Sequence, residues 1–140
     1  MLLFNNSQIT VSSQGEGSAG NLTINANSVE LNQSNLQAET VARNGNIIIN
    51  TQDLRSRGNS QITTNATGEA TGGNIEINTN LLISLENSDI SANAQQAFGG
   101  RVIINANAVF GTQFRTVQTS ASDIAVQNSV RTFLHPRILS

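Results

Sequence analysis

The sequence predicts an all-β solenoid of about four to five stacked coils, each of roughly 27 residues with three short strands. Three observations carry this. A Gly-Asn element followed by alternating apolar residues returns at residues 20–25 (GNLTIN), 45–50 (GNIIIN), 73–78 (GNIEIN) and, with Arg in place of Asn, 100–105 (GRVIIN). Its glycines are 25, 28 and 27 residues apart. The apolar residues alternate with polar ones, the period of a strand whose side chains point to opposite faces in turn.

Each coil divides into the same parts. The first strand is centred on Ile9, Leu36, Ile62 and Ile90, with a fifth copy at Ile124. The second is the glycine-led element. The third holds Val29, Leu54, Leu82 and Val109. Alternation sends four rows inward: Ile9, Leu36, Ile62, Ile90 and Ile124; then Leu22, Ile47, Ile75 and Val102; then Ile24, Ile49, Ile77 and Ile104; then the third-strand row. Like residues stack on like, and β-branched side chains suit a pleated, half-buried surface. Between first and second strands the length varies and glycines gather, so loops are expected on one side of the rod. Thr23, Ile48, Glu76 and Ile103 form an outward row.

On this reading residues 1–128 are a β-helical repeat domain, with coils starting near residues 8, 35, 61, 89 and 123. The last step, Ile90 to Ile124, spans 34 residues and breaks the rhythm. Residues 129–140 lack the motif, hold the sole His and Pro, and are expected to be an atypical tail or a cap. The abrupt start points to a fragment of a longer rod. Its uncovered ends would leave the isolated chain only marginally stable.

Composition narrows the function. The chain has 140 residues, a net charge of −2, 11% charged residues and no Lys, so no basic patch for nucleic acid is expected. Aromatics are 4%, with no Trp or Tyr, which leaves few stacking platforms. The longest isoleucine run, Ile47 to Ile49, is far short of the ~20 apolar residues of a membrane span. No cysteine is present, which excludes disulfides and thiolate metal sites and suits passage through an oxidising compartment.

Catalytic groupings are sparse. A single histidine, His135, makes neither a triad nor a multi-histidine metal site. No cofactor site, metal site or enzymatic activity is expected. Asp53 and Arg55, with Glu30 and Glu86 nearby, form the one candidate for a β-helical polysaccharide lyase or hydrolase, and solvated surface charge is the favoured reading. Asn25, Asn50, Asn78 and Asn105 recur at one place in each coil. Two readings stand: a ladder of stacked amides, or turn residues tolerant of positive φ. Gln95, Gln96 and Phe98 form the candidate contact loop, Phe98 being the one aromatic at a loop tip.

The segments Gly72-Gly73-Asn74-Ile75-Glu76-Ile77-Asn78, Asn87-Ser88-Asp89-Ile90-Ser91-Ala92 and Gly99-Gly100-Arg101-Val102-Ile103-Ile104-Asn105 resemble repeats of filamentous-haemagglutinin-like exoproteins, in particular the cyanobacterial members. The resemblance runs from about Ser7 to Asp123. It implies a right-handed parallel β-helix in a parent protein carried to the cell surface by two-partner secretion, through an outer-membrane pore transporter. It implies a secreted or cell-surface rod that serves in adhesion, with a receptor or glycan on a host or neighbouring cell as partner. The amino-terminal secretion domain of that family is not in this sequence.

Overall fold

The architecture is a stack of parallel strands, described from a computed structural model. The structure describes residues 1–15, 20–41, 45–67, 73–94, 100–115, 119–127 and 131–139, the backbone alone for residues 127 and 131–139. In chain order the strands are β1 (Leu2–Phe4), β2 (Gln8–Ser13), β3 (Gly20–Asn25), β4 (Ser28–Asn32), β5 (Asn35–Thr40), β6 (Gly45–Asn50) and β7 (Asp53–Arg57). They continue with β8 (Gln61–Ala66), β9 (Ile75–Ser84), β10 (Asp89–Ala94), β11 (Arg101–Phe110), β12 (Gln113–Arg115), β13 (Asp123–Gln127) and β14 (Arg131–Leu139). No helix occurs among the described residues.

Two sheets enclose the core. One holds β2, β5, β8, β10 and β13 in sequence order, with β12 beyond β13. The other runs β1-β4-β7-β9-β11-β14, with β3 and β6 joining β9 beside it. The strand pairs among the described residues are parallel, and those between successive coils follow the register of the repeat: Leu36 lies beside Ile62, Ile62 beside Ile90, and Ile90 beside Ile124. A coil therefore rests on the equivalent residues of the coil before it.

The inward rows form one continuous apolar cluster. Leu36, Ile47, Ile49, Leu54, Ile62, Ile75, Ile77, Leu82, Ile90, Ile104 and Ile124 are all fully buried. Burial of such side chains contributes about 1.5–3 kcal/mol each. Ile9, Val11 and Leu22, on the first coil, are only partly buried, since among the described strands β2 and β3 are paired on one side only.

Two details differ from the expectation. The regular steps are Gln8 to Asn35, Asn35 to Gln61 and Gln61 to Asp89, so about three regular turns exist rather than four to five equal coils. The irregular step has a physical cause. After β11 the chain climbs past the next level to form β12, then drops back to lay β13 on β10, so β12 covers the edge of β13. Second, the second and third strands are separate in the two early coils but fuse into the ten-residue strands β9 and β11. The corner persists, since Asn80 and Leu81 both donate their N–H to the Gln52 carbonyl, at 3.0 and 3.2 Å. What changes is that both sides of the corner stay extended and paired between β9 and β11.

Residues 131–139 carry no glycine-led motif, yet they lie as β14 against β11, with Val102 opposite Thr132 and Ile104 opposite Leu134. The segment is one more level of the stack, so its strand pairing follows position in the coil rather than the repeat motif.

Candidate functional site

Ladders of polar side chains run along the rod. Asn50 Nδ2 donates to Asn25 Oδ1 (2.8 Å), Asn78 Nδ2 to Asn50 Oδ1 (2.8 Å) and Asn105 Nδ2 to Asn78 Oδ1 (2.7 Å). All four sit within strands, and none is among the described residues with positive φ. A second amide line passes from Asn46 Nδ2 to Asn21 Oδ1 (2.9 Å), and the Asn74 and Arg101 N–H groups donate to Asn46 and Asn74 Oδ1 at 2.8 and 3.0 Å. These residues satisfy one another, which makes them part of the scaffold.

A serine ladder was missed by the sequence reasoning. Ser34 N–H donates to Ser60 Oγ (3.0 Å), Ser60 N–H to Ser88 Oγ (3.1 Å) and Ser88 N–H to Ser122 Oγ (3.0 Å). All four serines are buried. The signal was present: each stands two residues before the inward apolar residue of a first strand.

A groove of about 750 Å³ runs along the C-terminal ends of β2, β5, β8 and β10. Its floor is a register-aligned outward row, Ser12, Glu39, Asn65 and Asn93, with Thr40 and Val41 on its rim. Asn93 Nδ2 donates to Asn65 Oδ1 at 3.1 Å, while Asn93 Oδ1 is buried without a hydrogen-bond partner. Glu39 supplies the one charged side chain in the lining. The groove offers one polar group per coil, spaced ~4.8 Å apart by the strand pairing. Gln95, Gln96 and Phe98 directly follow Ala94 of this lining and lie outside the described residues.

The enzyme candidate is only partly assembled. Glu30 and Arg55 are register neighbours on β4 and β7, and Asp53 is two residues from Arg55 on the same outward face. Glu86 instead pairs with Arg57 at 3.4 Å, both side chains about half exposed (52% and 51%), and accepts from Gly58 N–H at 2.9 Å. An exposed pair of this kind contributes little. Among the described residues no group of three or more His, Cys, Asp or Glu gathers in one place.

Two acidic residues are buried: Asp89 and Asp123, at 5% and 0% exposure. Asp123 binds the β12 excursion in place. Its Oδ2 accepts from Thr119 N–H and Oγ1, and its Oδ1 lies 3.0 Å from Arg115 Nε. Asp123 N–H donates to Asp89 Oδ1 at 2.9 Å. Burial pushes the Asp89 carboxyl above its ordinary range; the Asp123 N–H pulls it back, and the Asp123 charge pushes it up further. The folded chain therefore holds this proton more tightly than the unfolded chain. The contribution is fully present below the ordinary carboxyl pKa and is lost as pH rises through the raised value. Asp89→Asn keeps an acceptor for Asp123 N–H and removes the charge. It is expected to raise stability near neutrality by roughly 0.5–1 kcal/mol, the size of a relieved like-charge contact between strands. Urea midpoints of the two proteins should converge at about pH 4 and separate at about pH 7, with the variant higher.

Comparison with protein-family models, curated proteins and solved structures gives no match. No helix among the described residues is long and apolar enough to cross a membrane.

Proposed function

We propose that this chain is a non-enzymatic rod segment of a secreted, cell-surface adhesin of the filamentous-haemagglutinin type. The ladders and the aliphatic shaft hold the rod, and the groove over β2, β5, β8 and β10 is its contact surface. The observation that carries the reading is the row Ser12, Glu39, Asn65 and Asn93, one polar group per coil along the long axis. Such a row suits an extended, hydroxyl-rich or amide-rich polymer, such as a surface glycan or an unfolded peptide on a neighbouring cell. The parent protein would reach the surface through an outer-membrane pore transporter. Low charge and the sequence resemblance support this assignment.

The test is attachment of the labelled chain to cells and to immobilised surface glycans. Glu39→Gln, at an exposed position, and deletion of residues 95–99 are each expected to weaken attachment several-fold with an unchanged circular dichroism spectrum. Binding curves identical to wild type in both variants would remove the groove from the function. A second reading, a β-helical carbohydrate-active enzyme, draws on the Glu30–Arg55 adjacency. It requires cleavage of uronate polysaccharides that Arg55→Ala abolishes.

A further inference from the structure

The turns that lead into Ser7, Ser34, Ser60 and Ser88 differ in length. Three have two residues, Asn5-Asn6, Gly58-Asn59 and Glu86-Asn87, while Gln33 stands alone before Ser34. All of these residues have positive φ, between 52° and 64°. Backbone hydrogen bonds show which position the short turn lacks. Asn6 N–H donates to the Gln33 carbonyl (2.7 Å), as Asn59 N–H donates to the Glu86 carbonyl (2.9 Å). Gln33 therefore takes the first turn position, with Glu86. The second position is held by Asn6 in the coil below and by Asn59 and Asn87 in the coils above, and Gln33's coil has no residue there.

The shortened turn leaves a notch of about 220 Å³, lined by Asn6, Gln33, Asn35, Gly58 and Asn59. Coils of this chain close it above and below. It lies at the N-terminal ends of β5 and β8, the opposite end of these strands from the groove. The lining holds no charged and no apolar side chain. Elsewhere along the rod, amides bond the amide of the next coil: Asn59 and Asn87 meet at 3.1 Å, and Asn25, Asn50, Asn78 and Asn105 form a continuous ladder. In the notch that continuity breaks. The levels of Asn6 and Asn59 are two strand spacings apart, ~9.6 Å, too far for one amide to reach the next. No hydrogen bond joins the carboxamides of Asn6, Gln33 or Asn35 to another described residue.

We propose that the notch is a binding site for one asparagine or glutamine side chain of a partner polypeptide, which supplies the rung that the short turn omits. A carboxamide donates on one side and accepts on the other, as the ladder requires. A carboxylate brings no donor, and the lining offers no cation to offset its charge. The volume is below the ~300–1,000 Å³ of sites for drug-sized ligands, so it suits a single side chain. This site is separate from the groove and does not depend on it.

Nuclear magnetic resonance of the ¹⁵N-labelled 140-residue chain, titrated with the tripeptide Gly-Gln-Gly, reads the site directly. The side-chain amide signals of Asn6, Gln33, Asn35 and Asn59 are expected to shift saturably, with a Kd on the order of millimolar for a few neutral hydrogen bonds. Gly-Glu-Gly and Gly-Met-Gly should bind at least about tenfold more weakly. Insertion of one asparagine between Gln33 and Ser34 restores the second turn residue and should abolish the shifts. Asn6→Leu, at an exposed position, should weaken binding about fivefold or more, and it decides the matter if the insertion variant fails to fold by circular dichroism. No saturable shift up to about 50 mM, equal binding of Gly-Met-Gly, or unchanged binding in the folded variants would each overturn the proposal. Tighter binding of N-acetylglucosamine than of Gly-Gln-Gly would overturn the polypeptide as occupant.

Discussion

Gly73→Ala is expected to be among the costliest one-carbon changes in the protein. A Cβ built at Gly73 would lie 1.7 Å from the carbonyl oxygen of Gly45 and 2.7 Å from its carbonyl carbon. Both are backbone atoms of the coil below, so no side chain can swing aside. The Gly73 carbonyl also accepts from buried Thr64 Oγ1 at 3.0 Å, which ties the same peptide to the first sheet. Relief requires the two coils to separate locally, and two residues further on they are joined at the fully buried register partners Ile47 and Ile75. Overpacking of this kind is expected to cost about 3 kcal/mol or more. Gly15 has nothing within 4 Å of the equivalent position, and Gly15→Ala should stay within about 0.5 kcal/mol of wild type. Urea unfolding of the pair measures the contrast, and equal midpoints would show that the coils do not approach as described.

Ile77→Ala is the second large effect. Ile77 is fully buried and lies between Ile49 and Ile104 in the same inward row. Strand pairing fixes the coils above and below it, so the cavity cannot close by collapse, and the expected loss is about 3–5 kcal/mol. Ile24, in the same row but on the end coil, is 7% exposed and has a neighbour on one side only. Ile24→Ala should cost about half as much. A linear stack with nearest-neighbour coupling requires that ordering; the reverse would argue that stability is spread without regard to coil position.

The scaffold was legible because it is written locally. Val29, Leu54, Leu82 and Val109 recur at one place in the coil, and all four are buried. So do the asparagines: Asn25, Asn50, Asn78 and Asn105 recur at one place in each coil, though recurrence does not decide between an amide ladder and a turn. That distinction lies in φ and in amide distance, which recurrence does not encode. Two features were hidden for another reason. The 34-residue step was visible, but nothing in residues 113–115 announces a strand that pairs with one later in the chain. Asp89 and Asp123 occupy outward positions of their strands, where a carboxylate ordinarily meets water. Asp123 is held by Arg115 and Thr119 of the excursion, and Asp89 accepts from the Asp123 N–H, contacts that no local pattern encodes. The groove was not legible, since the sequence predicts only variable loops on that side of the rod. Its floor is formed by residues 26 to 28 apart, and that row appears only once register is known.

In-register stacking of successive coils is the claim on which the rod, its ladders and its groove rest. A chain without cysteine allows a direct test by paired cysteine substitution. Ile48 and Glu76 are Cα partners on adjacent coils, while Ile48 and Ile103 are separated by the Glu76 level. Adjacent partners stand ~4.8 Å apart and second neighbours ~9.6 Å, and a disulfide needs Cα atoms within ~7 Å. Under mild oxidation Ile48→Cys/Glu76→Cys should form an intramolecular disulfide, and Ile48→Cys/Ile103→Cys should keep both thiols free. Free thiols in the first pair, or a bridge in the second, would contradict the stacked-coil architecture.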